Sequence, residues 1–498
     1  MRFTAPAGLV VPKDAVRGAL APRVAEPSHE LTRLLALANL GCCMVALINS
    51  LTGTRLPLLG YMLAAVLQVS SVAWHLRLRN LFSASLGSTI TVLLVFSMLL
   101  ELSDYIAFGP WYPARVYSPE IVSEAYSVLL LGGGLFFWLT LTFGTTRPWP
   151  RLVVTQVERR RAAPAAWWLF ALGAGAVLAT LGTPTIFTAP YPFAGIHSNA
   201  LIVSSGLQYI GVAALGISLI VGALAFGIRS RMFIILLALV LILTVWTFLL
   251  RGARGAALPV LATVVLIPFL FGRQPIRIRI GVLVLSVTLL LVFYQFIGTF
   301  RWSASQFGPA RGFDYAWSQS VASFAVGKKH GRVTPMDIST APQSYWHILQ
   351  AIDLYNGGNR LWGSSFIDVV LQAVPLFVAD YFGWERPISE QQRLSMYRLH
   401  GGGMYAFATA YWNLGLAGVA LVALLLGLLA NWIESWFRRQ TPLLIGSYLI
   451  AVGTLPYAMF FGWQSLARGL EIVLVVALIL RRAVATAARS ENPRGRVI

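Results

Sequence analysis

Charge and cysteine are what this chain has least of: Asp, Glu, Lys and Arg make up 11% of its 498 residues, and Cys42 and Cys43 are its only thiols. Soluble globular domains carry about a quarter of their residues as charged side chains, so an ordinary water-soluble fold is excluded. Two adjacent cysteines inside one apolar run have neither metal-ligand spacing nor the geometry for a mutual disulfide, and they read as small apolar core residues. Sequence motifs for several chemistries are missing too. No glycine-rich loop runs into Lys-Ser or Lys-Thr, which argues against ATP-driven work. No His-Glu-x-x-His, no cysteine pair at zinc spacing and no Gly-x-Ser-x-Gly occurs, which argues against zinc enzymes and typical serine hydrolases. No Asp-x-Asp is present to hold a metal on a nucleotide-linked donor, so any sugar transfer would need arginine in place of the metal. Neither a metal nor an organic cofactor is expected.

Apolar residues are what the chain has in excess, at 57% with a mean hydropathy of +0.72. Runs of about 18 or more apolar residues, enough to cross roughly 30 Å of hydrocarbon as helix, recur along most of the length. Backbone groups inside a bilayer are satisfied within helices, so the expected fold class is all-α, a polytopic integral membrane protein. Twelve spans are expected, at 34–51, 56–74, 84–102, 125–143, 166–182, 200–227, 232–250, 256–271, 280–298, 405–430, 443–461 and 465–481. Residues 1–30 are polar, Pro-rich and basic, and read as a cytoplasmic tail rather than a signal peptide; 483–498 form a second tail. Spans 1–9 occupy 31–298 and spans 10–12 occupy 405–482, leaving 299–404 as one large external loop. Leu361–Phe382 is apolar enough to be miscounted as a span, but it carries Asp368, Gln372 and Pro375 and reads as an interfacial or re-entrant helix.

Lys and Arg favour cytoplasmic loops, and this bias sets the orientation. With both termini inside, 24 of the 38 basic residues and 6 of the 18 acids face the cytoplasm, leaving 14 and 12 outside. The net charge of +20 therefore reports topology and contact with anionic inner-leaflet lipid, and nucleic acid is not an expected partner.

Arginines on the external side run against that bias. Arg251 and Arg254 stand in Arg251-Gly252-Ala253-Arg254-Gly255 between the seventh and eighth spans, with Arg301 after the ninth, Arg398 before the tenth and Arg468 at the head of the twelfth. Forked guanidinium donors match phosphate oxygens two at a time, so such a set suits a lipid diphosphate; interfacial anchoring to headgroups is the plainer use. Arg468 also has Glu471 one turn on, as a structural pair would. His400, in Arg398-Leu399-His400-Gly401-Gly402-Gly403, titrates near neutrality and is a candidate acid or base. Glu101, Asp104, Asp314, Asp337, Asp353, Asp368 and Asp380 are further proton acceptors without diagnostic spacing. The external loop is rich in aromatics, among them Trp302 and Trp362, whose faces suit sugar rings and equally an interfacial belt.

Three stretches resemble the bacterial O-antigen polymerase and oligosaccharide repeat-unit polymerase (Wzy-type) group. They are Arg251 to Gly255; Leu361-Trp362-Gly363-Ser364-Ser365-Phe366 followed by Pro375; and Gly401-Gly402-Gly403 leading to Tyr411-Trp412-Asn413-Leu414-Gly415-Leu416-Ala417-Gly418. The likeness covers roughly residues 230–440, with Pro375-Leu376 where the group usually has Pro-Arg. It implies ten to fourteen spans and growth of a polysaccharide on undecaprenyl diphosphate at the outer face of the bacterial inner membrane, without metal or nucleotide. On this resemblance Arg254, Arg301 and His400 are the expected catalytic residues. Arg251, Arg398, Arg468, Trp302, Trp362 and Tyr411 are the expected contacts to a polyprenyl-diphosphate-linked oligosaccharide. Membrane lipid, a chain-length regulator and a repeat-unit flippase are the expected partners. A ligase moving finished glycan would use the same motifs, and a flippase or other transporter would instead need charge along the middle of its spans.

Overall fold

A computed structural model of the chain describes residues 29–53, 58–78, 117–143, 156–181, 199–251, 311–318, 341–374, 381–385 and 406–438, with isolated positions elsewhere. Among these residues every regular element is helical and no strand occurs. The long helices are α1 (His29–Thr52), α2 (Leu58–Leu78), α3 (Pro119–Phe143), α4 (Gln156–Leu181), α5 (Asn199–Phe226), α6 (Arg231–Arg251), α7 (Ala341–Asn356), α8 (Ser364–Ala373) and α9 (Ala406–Arg438). The spans expected at 84–102 and 443–461, and nearly all of those at 256–271, 280–298 and 465–481, lie outside the described residues.

Among the described residues, four helices carry stretches long and apolar enough to cross a membrane: Arg33–Thr52, Pro119–Leu139, Ala162–Ala179 and Ala406–Trp432. The first, at 20 residues, gives about 30 Å of helix, the thickness of the hydrocarbon. Outward faces agree with that setting. Leu34, Leu37, Met44, Ile48 and Leu51 on α1, and Met232, Ile234, Ile235, Leu239 and Ile242 on α6, are exposed together. Apolar stripes of this extent would be a liability in water and are ordinary against lipid tails. The chain is thus a helical membrane protein.

Local signals mark the helix ends. Ser118 begins α3 by accepting the Ile121 amide on its hydroxyl at 3.4 Å, with Pro119 next and Glu120 in the first turn, where a fixed φ and a negative charge both help. Ser230 does the same for α6, accepting the Phe233 amide at 3.1 Å. The packing then divides by neighbour. Helices α1, α3, α7 and α9 pack in the order α1 on α3, α3 on α9 and α9 on α7, with α7 also touching α3, while α4, α5 and α6 pack on one another.

Small residues let the backbones approach, as in other membrane helix pairs. A side chain added at Gly173 of α4 would come within 2.8 Å of the Gly211 carbonyl of α5. Between α1 and α3 the buried, free thiol of Cys43 lies against the Leu130 and Leu131 carbonyls, where a Cβ on Gly134 would collide with it.

Helix α9 is broken near its start, since Leu414 (φ −136°, ψ 18°) and Gly415 (φ 61°, ψ −148°) are not helical. Gly415 is required there, because L side chains rarely adopt that φ and a Cβ would also lie 3.0 Å from the Tyr355 hydroxyl. Past the break the chain folds back so tightly that a Cβ on Gly418 would overlap the Ala410 carbonyl. Helix α8 has 10 residues, about 15 Å, half of what a span needs. It buries Ser365 and Val369 and exposes Ile367, Val370 and Leu371, the division of a helix lying along a surface.

Gly418→Ala is expected to destabilise the protein by about 1–3 kcal/mol, because the clash is with backbone and cannot be relieved by a rotamer change. Gly175→Ala, where an added Cβ meets nothing within 4 Å, is the matched control. Thermal unfolding of both variants in one detergent checks this, and equal midpoints would contradict it.

Candidate functional site

A cluster of polar groups lies at one end of the bundle. Helix α1 arrives there at its C-terminus with Asn49 and Ser50, while α3 and α9 leave from their N-termini with Ser123, Glu124 and Ser127 and with Tyr411. Asn49 donates its amide to the Tyr61 hydroxyl at 2.6 Å and to Ser127 Oγ at 3.2 Å, and Tyr61 in turn donates to the Ser123 carbonyl at 3.0 Å. Buried polar groups cost free energy unless they find partners, and these find one another.

Glu124 is the centre of the arrangement. Its Oε1 accepts from Ser50 Oγ at 3.2 Å and from the Tyr411 hydroxyl in a short hydrogen bond. A carboxylate one turn inside an apolar span is expensive to keep there, and two hydroxyl donors offset part of that cost. Tyr411, 2% exposed, sets its ring edge-on to Tyr355 of α7, with centroids 5.3 Å apart at 68°. Tyr355 carries the Arg360 guanidinium 4.3 Å from its ring centre, and the same guanidinium lies 5.5 Å from the ring of Trp362. One continuous chain of contacts therefore leads from Ser50, inside the bundle, to Trp362, which is 70% exposed.

The turn bearing Arg360 and Trp362 is stitched to the stub of α9 that precedes its break. Trp412 donates its indole N–H to the Asn359 carbonyl at 2.6 Å and accepts the Leu361 amide on its own carbonyl at 3.2 Å. Asn413, fully buried, accepts the Gly363 amide at 2.9 Å and donates to Ser365 Oγ at 2.6 Å and to the Thr409 carbonyl at 2.8 Å. Between these ties Trp362 is held at φ 50°, the only non-glycine residue with positive φ among the described residues. Bulky side chains pay about 1–3 kcal/mol for such a conformation, and it persists where its surroundings over-determine it.

Helix α7 is enclosed although it belongs to the expected external loop: residues 347–352 are all buried. His347 sits in it with Nδ1 lacking a hydrogen-bond partner among the described residues, and burial pushes its pKa down from 6.5 to about 4. At the far end, Tyr117 is held above the usual phenol range, first by partial burial and then by the charge of Asp353. Among the described residues no three His, Cys, Asp or Glu side chains group together as a metal site would need.

Of the residues expected from sequence, Trp362 and Tyr411 are brought into this one arrangement, Trp362 at its exposed edge and Tyr411 in its interior with the hydroxyl on Glu124. Arg251 ends α6, with its side chain outside the description. Arg254, Arg301, Trp302, Arg398, His400 and Arg468 lie outside the described residues. Sequence reading missed Ser50, Glu124 and Arg360. Two signals were available: Glu124 is an acid inside the apolar run of α3, and Arg360 directly precedes the Leu361-Trp362-Gly363-Ser364-Ser365 stretch.

The chain matches no family model, no curated protein and no solved structure.

Because the His347 pKa is lower in the folded protein than in the unfolded chain, the unfolded chain binds the extra proton between pH 6.5 and about 4. Stability from this group is complete above pH 6.5 and falls by roughly 3 kcal/mol as pH drops through that window. Hydrogen exchange of the α7 amides, corrected for intrinsic rates, should show weaker protection at pH 5 than at pH 7 in the native protein. That difference should shrink in His347→Leu, and an equal difference in both would contradict the assignment.

Proposed function

We propose that this chain is a membrane glycosyltransferase that polymerises lipid-linked oligosaccharide repeat units. It would move glycan from undecaprenyl diphosphate to a sugar hydroxyl at the outer face of the bacterial inner membrane. In this reading the chain has twelve spans with both termini cytoplasmic, 299–404 is periplasmic, and the end of the bundle bearing Glu124 faces outward. The observation that carries the proposal is the hydroxyl-bonded carboxylate of Glu124 joined through Tyr411 and Tyr355 to an exposed arginine and tryptophan. Such a set supplies a proton acceptor, a cation and a flat apolar face within one connected arrangement.

The acceptor hydroxyl oxygen attacks the anomeric carbon of the donor glycan, and the bond from that carbon to the diphosphate oxygen breaks. The hydroxyl proton passes to Glu124, which takes the role expected of His400 or of a loop carboxylate. The departing diphosphate takes the electron pair, and Arg251, Arg254 and Arg301 neutralise it in place of a metal. Ser50 and Tyr411 fix the rotamer of the carboxylate so that one oxygen is occupied.

Removing a general base costs about 10²–10⁴ in rate, and removing one charge-stabilising donor about 10²–10³. Glu124→Gln and Arg254→Ala are therefore each expected to abolish long polysaccharide in cells, with Arg254→Lys partly active. Polymer length on gels reads this out, and normal long chains from both Glu124→Gln and Arg254→Ala would sink the mechanism.

Orientation is tested separately. Cys42 and Cys43 are 7% and 2% exposed, so a single reporter such as Ala253→Cys should dominate labelling by a membrane-impermeant maleimide. Labelling of intact cells with only the outer membrane permeabilised is expected. Labelling that requires opening of the cytoplasm would reverse the topology and with it the proposal.

A further inference from the structure

We infer that Arg360 and Trp362 form a subsite for a sugar ring that bears an oxyanion. The inference rests on the glycan-polymerase reading for the nature of the substrate, and adds to it a binding site and a ligand class.

The guanidinium of Arg360 is held but not consumed. Its interactions are the two aromatic rings and one 3.4 Å hydrogen bond from Nε to the Tyr355 carbonyl, so among the described residues no carboxylate pairs with it and its terminal N–H donors are unspent. Arginine offers five N–H donors in a planar fork, and four of them remain to meet an oxyanion two at a time. Stacking on Tyr355 fixes the plane of the fork, which lowers the entropy lost when a ligand binds.

Trp362 supplies the other half. Its ring is exposed in spite of its size and sits on a backbone conformation that bulky residues avoid, so packing does not account for its position. The strain is maintained by hydrogen bonds on both sides, through Asn413 and Trp412. Gly358 and Gly363 flank the pair, and a Cβ added at either would meet nothing within 4 Å, which leaves open space beside the turn. The geometry suits a pyranose lying on the indole with an acidic substituent one or two bonds out, in reach of the guanidinium. Aromatic faces accept the C–H side of a sugar much as they accept other rings, and the adjacent cation selects for charge.

Two substrates carry that chemistry: a repeat-unit sugar with a carboxylate, or the sugar joined directly to the lipid diphosphate. The test uses the purified full-length chain in detergent with three soluble probes. A disaccharide of glucuronate and N-acetylglucosamine represents the first source, N-acetylglucosamine 1-phosphate the second, and neutral chitobiose is the control. The expected result is that one anionic probe binds about tenfold more tightly than chitobiose, identifying the source. Arg360→Gln should remove that preference, Arg360→Lys should recover part of it, and Trp362→Ala should weaken the preferred probe about tenfold with Trp362→Phe in between. Thermal midpoints of the Lys and Phe variants confirm that the fold is kept. Equal binding of all three probes, or binding unchanged by Arg360→Gln and Trp362→Ala, would overturn the subsite. Polymer length in a strain lacking the chain tests the polymerase reading by itself. Persistent polymer with Arg360-dependent binding would sink that reading alone, and lost polymer with Arg360-independent binding would sink the subsite alone.

Discussion

The buried amide of Asn413 is the contact on which the site-bearing end of the bundle depends. It lies just before the break in α9, where the helix has already released part of its backbone hydrogen bonding, and it supplies one acceptor and two donor contacts to groups on both sides. Together with Trp412 it sets the register of the 359–365 turn against α9. From that register follow the strained Trp362 and the seating of Arg360 on Tyr355. An apolar residue of similar size could fill the volume but would leave the Gly363 amide and Ser365 hydroxyl without partners, a penalty of about 1–3 kcal/mol for each buried group.

Burying an element of the expected external loop changes how that segment should be regarded. Helix α7 contains Gln343, His347, Gln350 and Asp353, and its hydropathy alone sets it in water. It nevertheless lies between α3 and α9 with most of one turn and a half enclosed. The polar residues it brings inside are few, and the apolar ones between them, Ile348, Leu349, Ala351 and Ile352, are fully covered. Tyr355 at the end of α7 accordingly reaches a side chain that α9 presents from within its apolar stretch.

Hydropathy made the bundle legible because burial in lipid demands long apolar runs, and the described helices α1, α2, α3, α5, α6 and α9 start or end within a few residues of the expected spans. Where they differ, the extension is polar. Helix α4 begins at Gln156, ten residues before its apolar run, since Glu158 to Arg161 continue the helix beyond the hydrocarbon. The site was legible only in part. Trp362 and Tyr411 stood in recognisable stretches, whereas Glu124 meets Tyr411 across 287 residues of sequence, and no local pattern encodes a contact of that kind. Arg360 was passed over, although it directly precedes a recognisable stretch, because a lone arginine in a polar turn is ordinary until the ring beneath it is known.

The interruption at Leu414 and Gly415 divides α9 into a short stub and a long rod. A continuous helix transmits any change of tilt along its whole length, and spans tilt to match the thickness of the surrounding bilayer. The stub before that joint is tied sideways instead, Tyr411 to Glu124 of α3 and Trp412 and Asn413 to the 359–365 turn. The rod can therefore lean at the break without carrying the stub with it, so lipids of different chain length should alter the tilt of the rod more than the seating of Arg360 on Tyr355.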